Sequence, residues 1–138
     1  MPVIRRGCAA DLPALADIQA RSPQATHWNP ADYLDHDLWI ATLDQTPAAF
    51  LVLRPLAPGE CEVLNLAVDP DFRRRGLATA LLRTALEHFH GDVFLEVRAS
   101  NSTAQIFYQA LGFQQLNLRP SYYSDPPESA IVMKFHSC

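Results

Sequence analysis

The segment from Val63 to Thr79 constrains the fold more than any other part of the sequence. An extended apolar run, VLNLAV, ends at Asp69-Pro70 and leads into three consecutive arginines, Gly76 and a helical pattern. This order predicts a strand, a basic turn and a helix N-terminus. The first N–H groups of a helix lack intrahelical partners and lie at the positive end of its dipole, so they bind anions. We therefore predict a phosphate site, and specifically a pyrophosphate site, at this turn.

Composition and charge predict one globular domain spanning residues 1–138. Apolar residues make up 49% of the chain, but no apolar run approaches the ~20 residues of a membrane span. The net charge of −4 argues against a general nucleic-acid-binding surface, because such a surface needs a basic excess. We expect a soluble, cytoplasmic protein whose arginine cluster serves one small anion.

The cysteines and histidines predict neither a disulfide framework nor a metal centre. The three cysteines are odd in number and show no C-x-x-C spacing. The five histidines are scattered, and the one close pair, His88 and His90, is spaced so that the two rings face different directions on a helix. We therefore expect no metal ligands in this chain.

Hydrophobic periodicity and turn residues predict a mixed α/β sheet with helices on both faces, in the order β-α-α-β-β-β-α-β-α-β-β. The predicted strands are Val3–Arg6, Leu38–Leu43, Ala48–Leu53, Cys61–Val68, Asp92–Ala99, Phe113–Leu118 and Ala130–Phe135. The predicted helices run from Asp11 to Ala20, from Asn29 to about Asp35, from Leu77 to before Gly91, and from Ser102 to Leu111. Pro120–Glu128 is predicted to be a loop.

Two residues stand out as candidates for chemistry, and each also has a structural interpretation. Alternation along the predicted strand Asp92–Ala99 places Glu96 and Arg98 on one face. From spacing alone, Glu96 is as well explained by an ion pair with Arg98 as by catalysis. Tyr108 lies on the apolar face of its helix, where an aromatic residue usually belongs to the core.

Three motifs in order resemble the GNAT acetyltransferases. They are Arg73, Gly76 and Ala78 in the pattern R-x-x-G-x-A, the run Leu95–Asn101 (LEVRASN), and the run Phe107–Phe113 (FYQALGF). The end of the chain, Tyr122-Tyr123-Ser124-Asp125 followed by AIVMK, resembles the branch that acetylates N-terminal α-amines. Within that branch, the sequence is most similar to the ribosomal-protein-alanine N-acetyltransferases.

This resemblance implies direct transfer of an acetyl group from acetyl-CoA to a primary amine, with Glu96 as general base and Tyr108 as the donor that protonates the leaving thiolate. Asn101 would reach the pantetheine or adenosine portion of acetyl-CoA. The thioester carbonyl would be held by the backbone of Leu66, Ala67 and Val68. The pyrophosphate would be bound by Arg74, Arg75, Gly76, Leu77, Ala78 and Thr79.

The acceptor is the part of the function that the sequence leaves most open. The resemblance implies a groove for a protein N-terminus, with a ribosomal protein as one candidate and with Trp28, Tyr122 and Tyr123 lining it. The paired tyrosines are also explained by packing at the tip of a hairpin. A small-molecule amine is an alternative acceptor, and a non-catalytic coenzyme A-binding module is an alternative function. The presence of both Glu96 and Tyr108 argues against the non-catalytic module.

Overall fold

A seven-stranded mixed sheet forms the centre of the structure, with strands in the order β1-β2-β3-β4-β5-β7-β6. The computed structural model describes residues 2–22, 29–124 and 127–137. Neighbouring strands are antiparallel except β4 and β5, which are parallel. The strands are β1 (Val3–Arg6), β2 (Asp37–Leu43), β3 (Thr46–Pro55), β4 (Glu60–Val68), β5 (Gly91–Arg98), β6 (Gln114–Ser124) and β7 (Pro127–Ser137).

Within these ranges three α-helices cover the sheet, and the predicted order of elements is confirmed. They are α1 (Leu12–Ala20), α2 (Leu77–Glu87) and α3 (Ser102–Ala110). The element predicted after Asn29 is a 3₁₀ helix, Pro30–Asp35, and the Asn29 side chain caps it by accepting from the Ala31 N–H. No helix in the described ranges is long and apolar enough to cross a membrane.

The two faces of the sheet carry separate cores. On one face, α2 packs its buried leucines against β2, β3 and β4, and residues of β5 and Tyr108 of α3 belong to the same cluster. On the other face, Leu15 and Ile18 of α1 pack with Tyr33 against Phe50 and Val52 of β3. Burial on both faces explains why the central strand β3 is an almost continuous apolar run.

Asp11 lies at the N-cap position of α1, as predicted, but its side chain does not cap that helix. A 3₁₀ turn, Ala9–Asp11, precedes α1, and the Asp11 carboxylate instead accepts two hydrogen bonds from the Arg5 guanidinium, each 2.8 Å long. It also accepts one from the Cys8 N–H. The bond to Arg5 lowers the pKa of Asp11 to about 2. The acid therefore anchors β1 to the start of α1.

The predicted loop Pro120–Glu128 is wrong for the part of it that the structure describes. Strand β6 continues to Ser124 and β7 begins at Pro127, with Tyr123 opposite Glu128. Pro120 is tolerated within β6 because β6 is an edge strand and its pairing is irregular between Arg119 and Tyr123. Residues 125 and 126 lie outside the described residues.

Strands β4 and β5 pair only at their first residues and then separate. Glu60–Glu62 pairs with Asp92–Phe94, and neither strand continues the ladder beyond that point, although both strands are fully described. The register between β3 and β4 shifts where Leu53 faces Val63 and Val52 faces Asn65, which leaves Leu64 as an extra residue in β4. Such a bulge bends its strand. The result is a gap in the sheet between the second halves of β4 and β5.

Candidate active site

The gap between β4 and β5 exposes backbone hydrogen-bond donors. Asp69 donates its N–H to Ala48 O of the neighbouring chain segment at 2.8 Å. The direction of the N–H groups alternates along a strand, so the N–H of Ala67 points towards β3, as that of Asp69 does. The N–H groups of Leu66 and Val68 therefore point into the gap. A carbonyl oxygen that enters the gap can accept a hydrogen bond from them.

The arginine turn lies at the end of β4 and leads directly into α2. Asp69 caps the preceding 3₁₀ turn, Pro70–Phe72, by accepting from the Asp71 N–H. Arg74 and Gly76 both have left-handed backbone conformations, with φ of 64° and 74°. Gly76 is the N-cap of α2, and the first helical bond runs from Ala80 N to Gly76 O. The N–H groups before Ala80, those of residues 77–79, are therefore available to a ligand.

An open groove joins this turn to the gap in the sheet. Its lining residues are Val68, Phe72, Arg73, Arg74, Gly76, Leu77, Ala78, Thr79 and Phe107. Most of the predicted cofactor residues are thus brought together. Leu66 and Ala67 do not line the groove, and the Arg75 guanidinium lies over the Phe72 ring at 5.5 Å instead. A pyrophosphate fits this groove, because helix N–H groups, the α2 dipole and two arginines converge on it.

Gly76 is required for its backbone conformation rather than for lack of space within the protein. A Cβ built at this position meets no described protein atom within 4 Å. The left-handed φ is nevertheless strained for any residue with a Cβ, and most strained for a β-branched one. Valine at this position would therefore distort the turn that aims the helix N–H groups at the ligand.

Tyr108 projects from α3 into the core on one side of the gap. Its ring contacts Phe107 and Phe113 edge-on, at centroid distances of 5.1 and 5.4 Å, and it belongs to the cluster that includes Leu95 and Val97 of β5. Burial raises the pKa of the Tyr108 hydroxyl far above its usual value. The hydroxyl is therefore protonated across the whole neutral range and available as a donor.

Glu96 lies on the opposite face of β5, and Arg98 is not its partner in the observed pairing. Its Oε1 is 3.2 Å from Nη1 of Arg119, while Arg98 pairs with Glu128 at 3.6 Å. The Tyr122 hydroxyl donates a hydrogen bond to Glu96, and that bond raises the pKa of Tyr122. Glu96 thus has partners on β6 that sequence spacing did not identify.

The sheet beside the gap therefore has Glu96 on one face and Tyr108 on the other. Side chains alternate along β5, and Leu95 lies in the same core cluster as Tyr108. Glu96, the next residue, consequently projects from the opposite face of the sheet. A cofactor that enters from the α2–α3 face and an acceptor that enters from the other face would meet where β4 and β5 separate. This arrangement suits transfer of a group between two molecules.

The remaining predicted residues are placed less directly at the gap. Asn101 caps α3, with its Oδ1 accepting from the Ala104 N–H at 3.1 Å, so its contact with acetyl-CoA stays a prediction. Tyr122 is half exposed beside Glu96. Tyr123 lies in β6, but its side chain is outside the described part of the structure, as is all of Trp28.

Sequence reasoning did not assign Phe72, Phe107 and Arg119 to the site, whereas it placed Arg73 in the arginine cluster at the phosphate turn. Phe72, Arg73 and Phe107 line the groove, and Arg119 pairs with Glu96. Arg73 and Phe107 belong to the motifs themselves, so their positions were a usable signal. Arg119 carried no such signal, because its contact depends on how far β6 extends along β7.

Comparison with known proteins identifies the class of this site. The Acetyltransferase (GNAT) family matches residues 11–113. The chain is 35% identical, over 137 residues and 89% of each chain, to the [ribosomal protein bS18]-alanine N-acetyltransferase of Escherichia coli K12. The crystal structure of the ribosomal-protein-S18-alanine N-acetyltransferase from Escherichia coli superposes with a TM-score of 0.87 at 32% identity, covering 99% of this chain and 94% of that one. Ard1 from Thermoplasma volcanium superposes with a TM-score of 0.89 at 27% identity, covering 99% and 98%.

The chain belongs to the acetyltransferase (GNAT) family. It is an acetyl-CoA-dependent N-acetyltransferase, as the sequence motifs indicated.

Substitution of Gly76 by valine tests the phosphate turn. We expect the dissociation constant of acetyl-CoA to rise by about 10-fold or more, because valine disfavours the left-handed backbone that orients the α2 N–H groups. Isothermal titration calorimetry measures the change. Gly59→Val is the matched control, since Gly59 has a similar φ of 77° and equally open space but lies at the turn before β4. Equal acetyl-CoA affinity in Gly76→Val and wild type would refute the assignment.

Proposed function

We propose that this enzyme acetylates the N-terminal α-amine of a protein, of the type represented by a ribosomal protein that begins with alanine. The observation that carries the proposal is the gap between β4 and β5, with Glu96 on one face and Tyr108 on the other. The relative from Escherichia coli supports the same acceptor, since it is named as an alanine N-acetyltransferase of ribosomal protein bS18. The match covers 89% of that relative.

An α-amine is a suitable acceptor for a site with a single carboxylate base. Its pKa of about 7.7–8.0 leaves about a tenth of the molecules as free base at pH 7, whereas a lysine near 10.4 is free in only about one of 2,500. The base therefore does not have to remove a proton from a strongly held ammonium group. It has to accept the proton that the amine loses as the C–N bond forms.

In this mechanism each group has one role. The amine attacks the thioester carbonyl, the C–N bond forms, and the nitrogen's excess proton passes to Glu96 directly or through water. The N–H groups of Leu66 and Val68 that face the gap would stabilise the negative charge on the carbonyl oxygen. The C–S bond then breaks, and its electron pair leaves with the sulfur. No covalent acyl-enzyme is required, since both substrates reach the gap.

Tyr108 is proposed to serve the leaving sulfur. A thiol of pKa near 8.5 needs less help to leave than an alcohol, but the sulfur still has to gain a proton before coenzyme A is released as a thiol. Burial keeps the Tyr108 hydroxyl protonated, so the proton that it would donate to the sulfur is present at every pH at which the enzyme works. Glu96 then gives its proton to solvent and Tyr108 takes one from solvent, so transfer to a free amine releases no net proton.

The acceptor groove is proposed to lie on the Glu96 face, beside β6 and β7. Tyr122, half exposed and bonded to Glu96, is positioned to contact the first residue of the acceptor. Trp28 and Tyr123 remain proposed contacts from the sequence. The pyrophosphate of acetyl-CoA is assigned to the groove on the opposite face, and the two substrates therefore do not compete for space.

A peptide series tests the acceptor class. We expect acetylation, detected by mass spectrometry with acetyl-CoA, of a peptide that begins with alanine, and none of the same peptide with a formylated N-terminus and an internal lysine. Free polyamines and amino acids serve as the small-molecule arm. Acetylation of the internal lysine or of a small amine, with the α-amine untouched, would contradict the proposal.

Replacement of Tyr108 by phenylalanine separates its catalytic and core roles, since the ring that fills the core is kept. We expect turnover to fall about 10²-fold while melting temperature and acetyl-CoA affinity stay nearly unchanged. Because burial raises the pKa of Tyr108, the loss should be the same across the neutral pH range. Full activity in a folded variant would return Tyr108 to a purely structural role.

Replacement of Glu96 by glutamine removes the base and keeps the side-chain shape. We expect a loss of turnover that is largest near neutral pH and shrinks as the pH rises past the pKa of the acceptor amine, where the free base predominates. Glu62→Gln is the matched control, because Glu62 lies on the same face of the neighbouring strand and pairs with Arg54. A small, pH-independent effect of Glu96→Gln, with a lower melting temperature, would instead indicate a structural ion pair.

A further inference from the structure

Most carboxylates on the face of the sheet that carries Glu96 are paired with basic groups. Registers and alternation place five carboxylates on this face of β4, β5 and β7 within the described residues, Glu60 among them, and the other four each have a basic partner. The groups are Glu62 with Arg54, Glu96 with Arg119, Glu128 with Arg98, and Asp92 with Lys134 and His136. The base candidate therefore does not present an unpaired negative charge to the acceptor.

The partner of Glu96 comes from a different part of the chain. Arg119 lies on the edge strand β6, and its guanidinium is 3.2 Å from Oε1 of Glu96. It also lies over the Tyr122 ring at 5.3 Å, and the Tyr122 hydroxyl is bonded to the same carboxylate. Strand β6 thus supplies two donors that hold Glu96 and one positive charge that offsets it.

This charge matters because the acceptor has to be neutral to react. An isolated carboxylate beside a bound α-ammonium favours the ammonium form and raises its pKa, which lowers the fraction of nucleophilic amine. A guanidinium next to that carboxylate has the opposite effect on the amine. Since Arg119 is about half exposed, its pair with Glu96 contributes little to the stability of the fold.

We propose that Arg119 is a positioning residue that orients Glu96 and offsets its charge, so that the acceptor binds as a free amine rather than as an ammonium ion. The inference rests on the proposed function, because it assumes that the amine binds beside Glu96. It adds a residue that no sequence motif identified, and it predicts which kinetic constant that residue controls.

The test compares pH–rate profiles of wild type, Arg119→Gln, Arg119→Lys and the control Lys134→Gln, with a peptide that begins with alanine. The rising limb of kcat reports the bound amine, whereas that of kcat/KM reports free peptide and free enzyme. We expect Arg119→Gln to move the kcat limb to higher pH by about one unit, with about 10-fold lower kcat near pH 7 and convergence at high pH. The amine limb of kcat/KM should stay in place.

The other two variants distinguish an effect of the charge at Arg119 from a general effect of surface charge. Arg119→Lys keeps the charge and should restore the wild-type profile. Lys134→Gln removes a charge of similar exposure from the same face, where Lys134 pairs with Asp92, and should leave the profile unchanged. A wild-type kcat profile for Arg119→Gln, an equal shift for Lys134→Gln, or no recovery in Arg119→Lys would overturn the inference.

A binding measurement covers the case in which a variant is too unstable for kinetics. The pKa of the bound amine is read from the ¹⁵N chemical shift of a peptide labelled at its α-amine, in complex with the enzyme and coenzyme A. The enzymes compared are wild type, Arg119→Lys and Arg119→Met, and Arg119→Met takes the place of Arg119→Gln. A higher pKa in Arg119→Met supports the inference, and equal values refute it. Full activity of Glu96→Gln would refute the assignment of Glu96 as the base. If Glu96→Gln is impaired but the pKa of the bound amine is the same in all Arg119 variants, only the role of Arg119 is refuted.

Discussion

The separation of β4 from β5 is the constraint on which the site depends. Three residue pairs hold the strands together at Glu60–Glu62, and the bulge at Leu64 then turns β4 away. At the start of β4 and β5 the two chain segments approach closely, because a Cβ on Gly91 would lie 2.1 Å from Gly59 O. If the ladder continued, the N–H groups of Leu66 and Val68 would be used within the sheet. Because it stops, they face a gap in the sheet.

Everything else at the site is arranged around that gap. The turn after β4 places the N-terminus of α2 beside it, and the left-handed backbone at Gly76 sets the direction of that helix. The core beneath α2 and α3 keeps Tyr108 buried and protonated on one face. The polar face carries Glu96 among paired charges. Under the proposed function, separating the two faces would let acetyl-CoA and the acceptor approach without sharing a pocket.

Much of the fold could be read from the sequence because its signals are local. The apolar run of β4, the caps at Asn29 and Asn101 and the turn at Gly76 that leads into α2 depend on residues within a few positions of one another. The sequence predictions that the structure contradicts also share a cause. The end of β6 and the side-chain role of Asp11 depend on partners in other elements, β7 and Arg5, which local propensity does not include.

The candidate site likewise has features that local sequence predicted and features that depend on the packed sheet. The motifs predicted a basic turn at a helix N-terminus, a strand glutamate and a helix tyrosine, and the structure has all three, since each depends on one short segment. Only the packed sheet decided that Glu96 pairs with Arg119 rather than with Arg98, two residues away on the same face. The reason is geometric: side chains at i and i+2 of a strand extend in parallel, whereas an arginine on a strand across β7 reaches back over the sheet to the carboxylate.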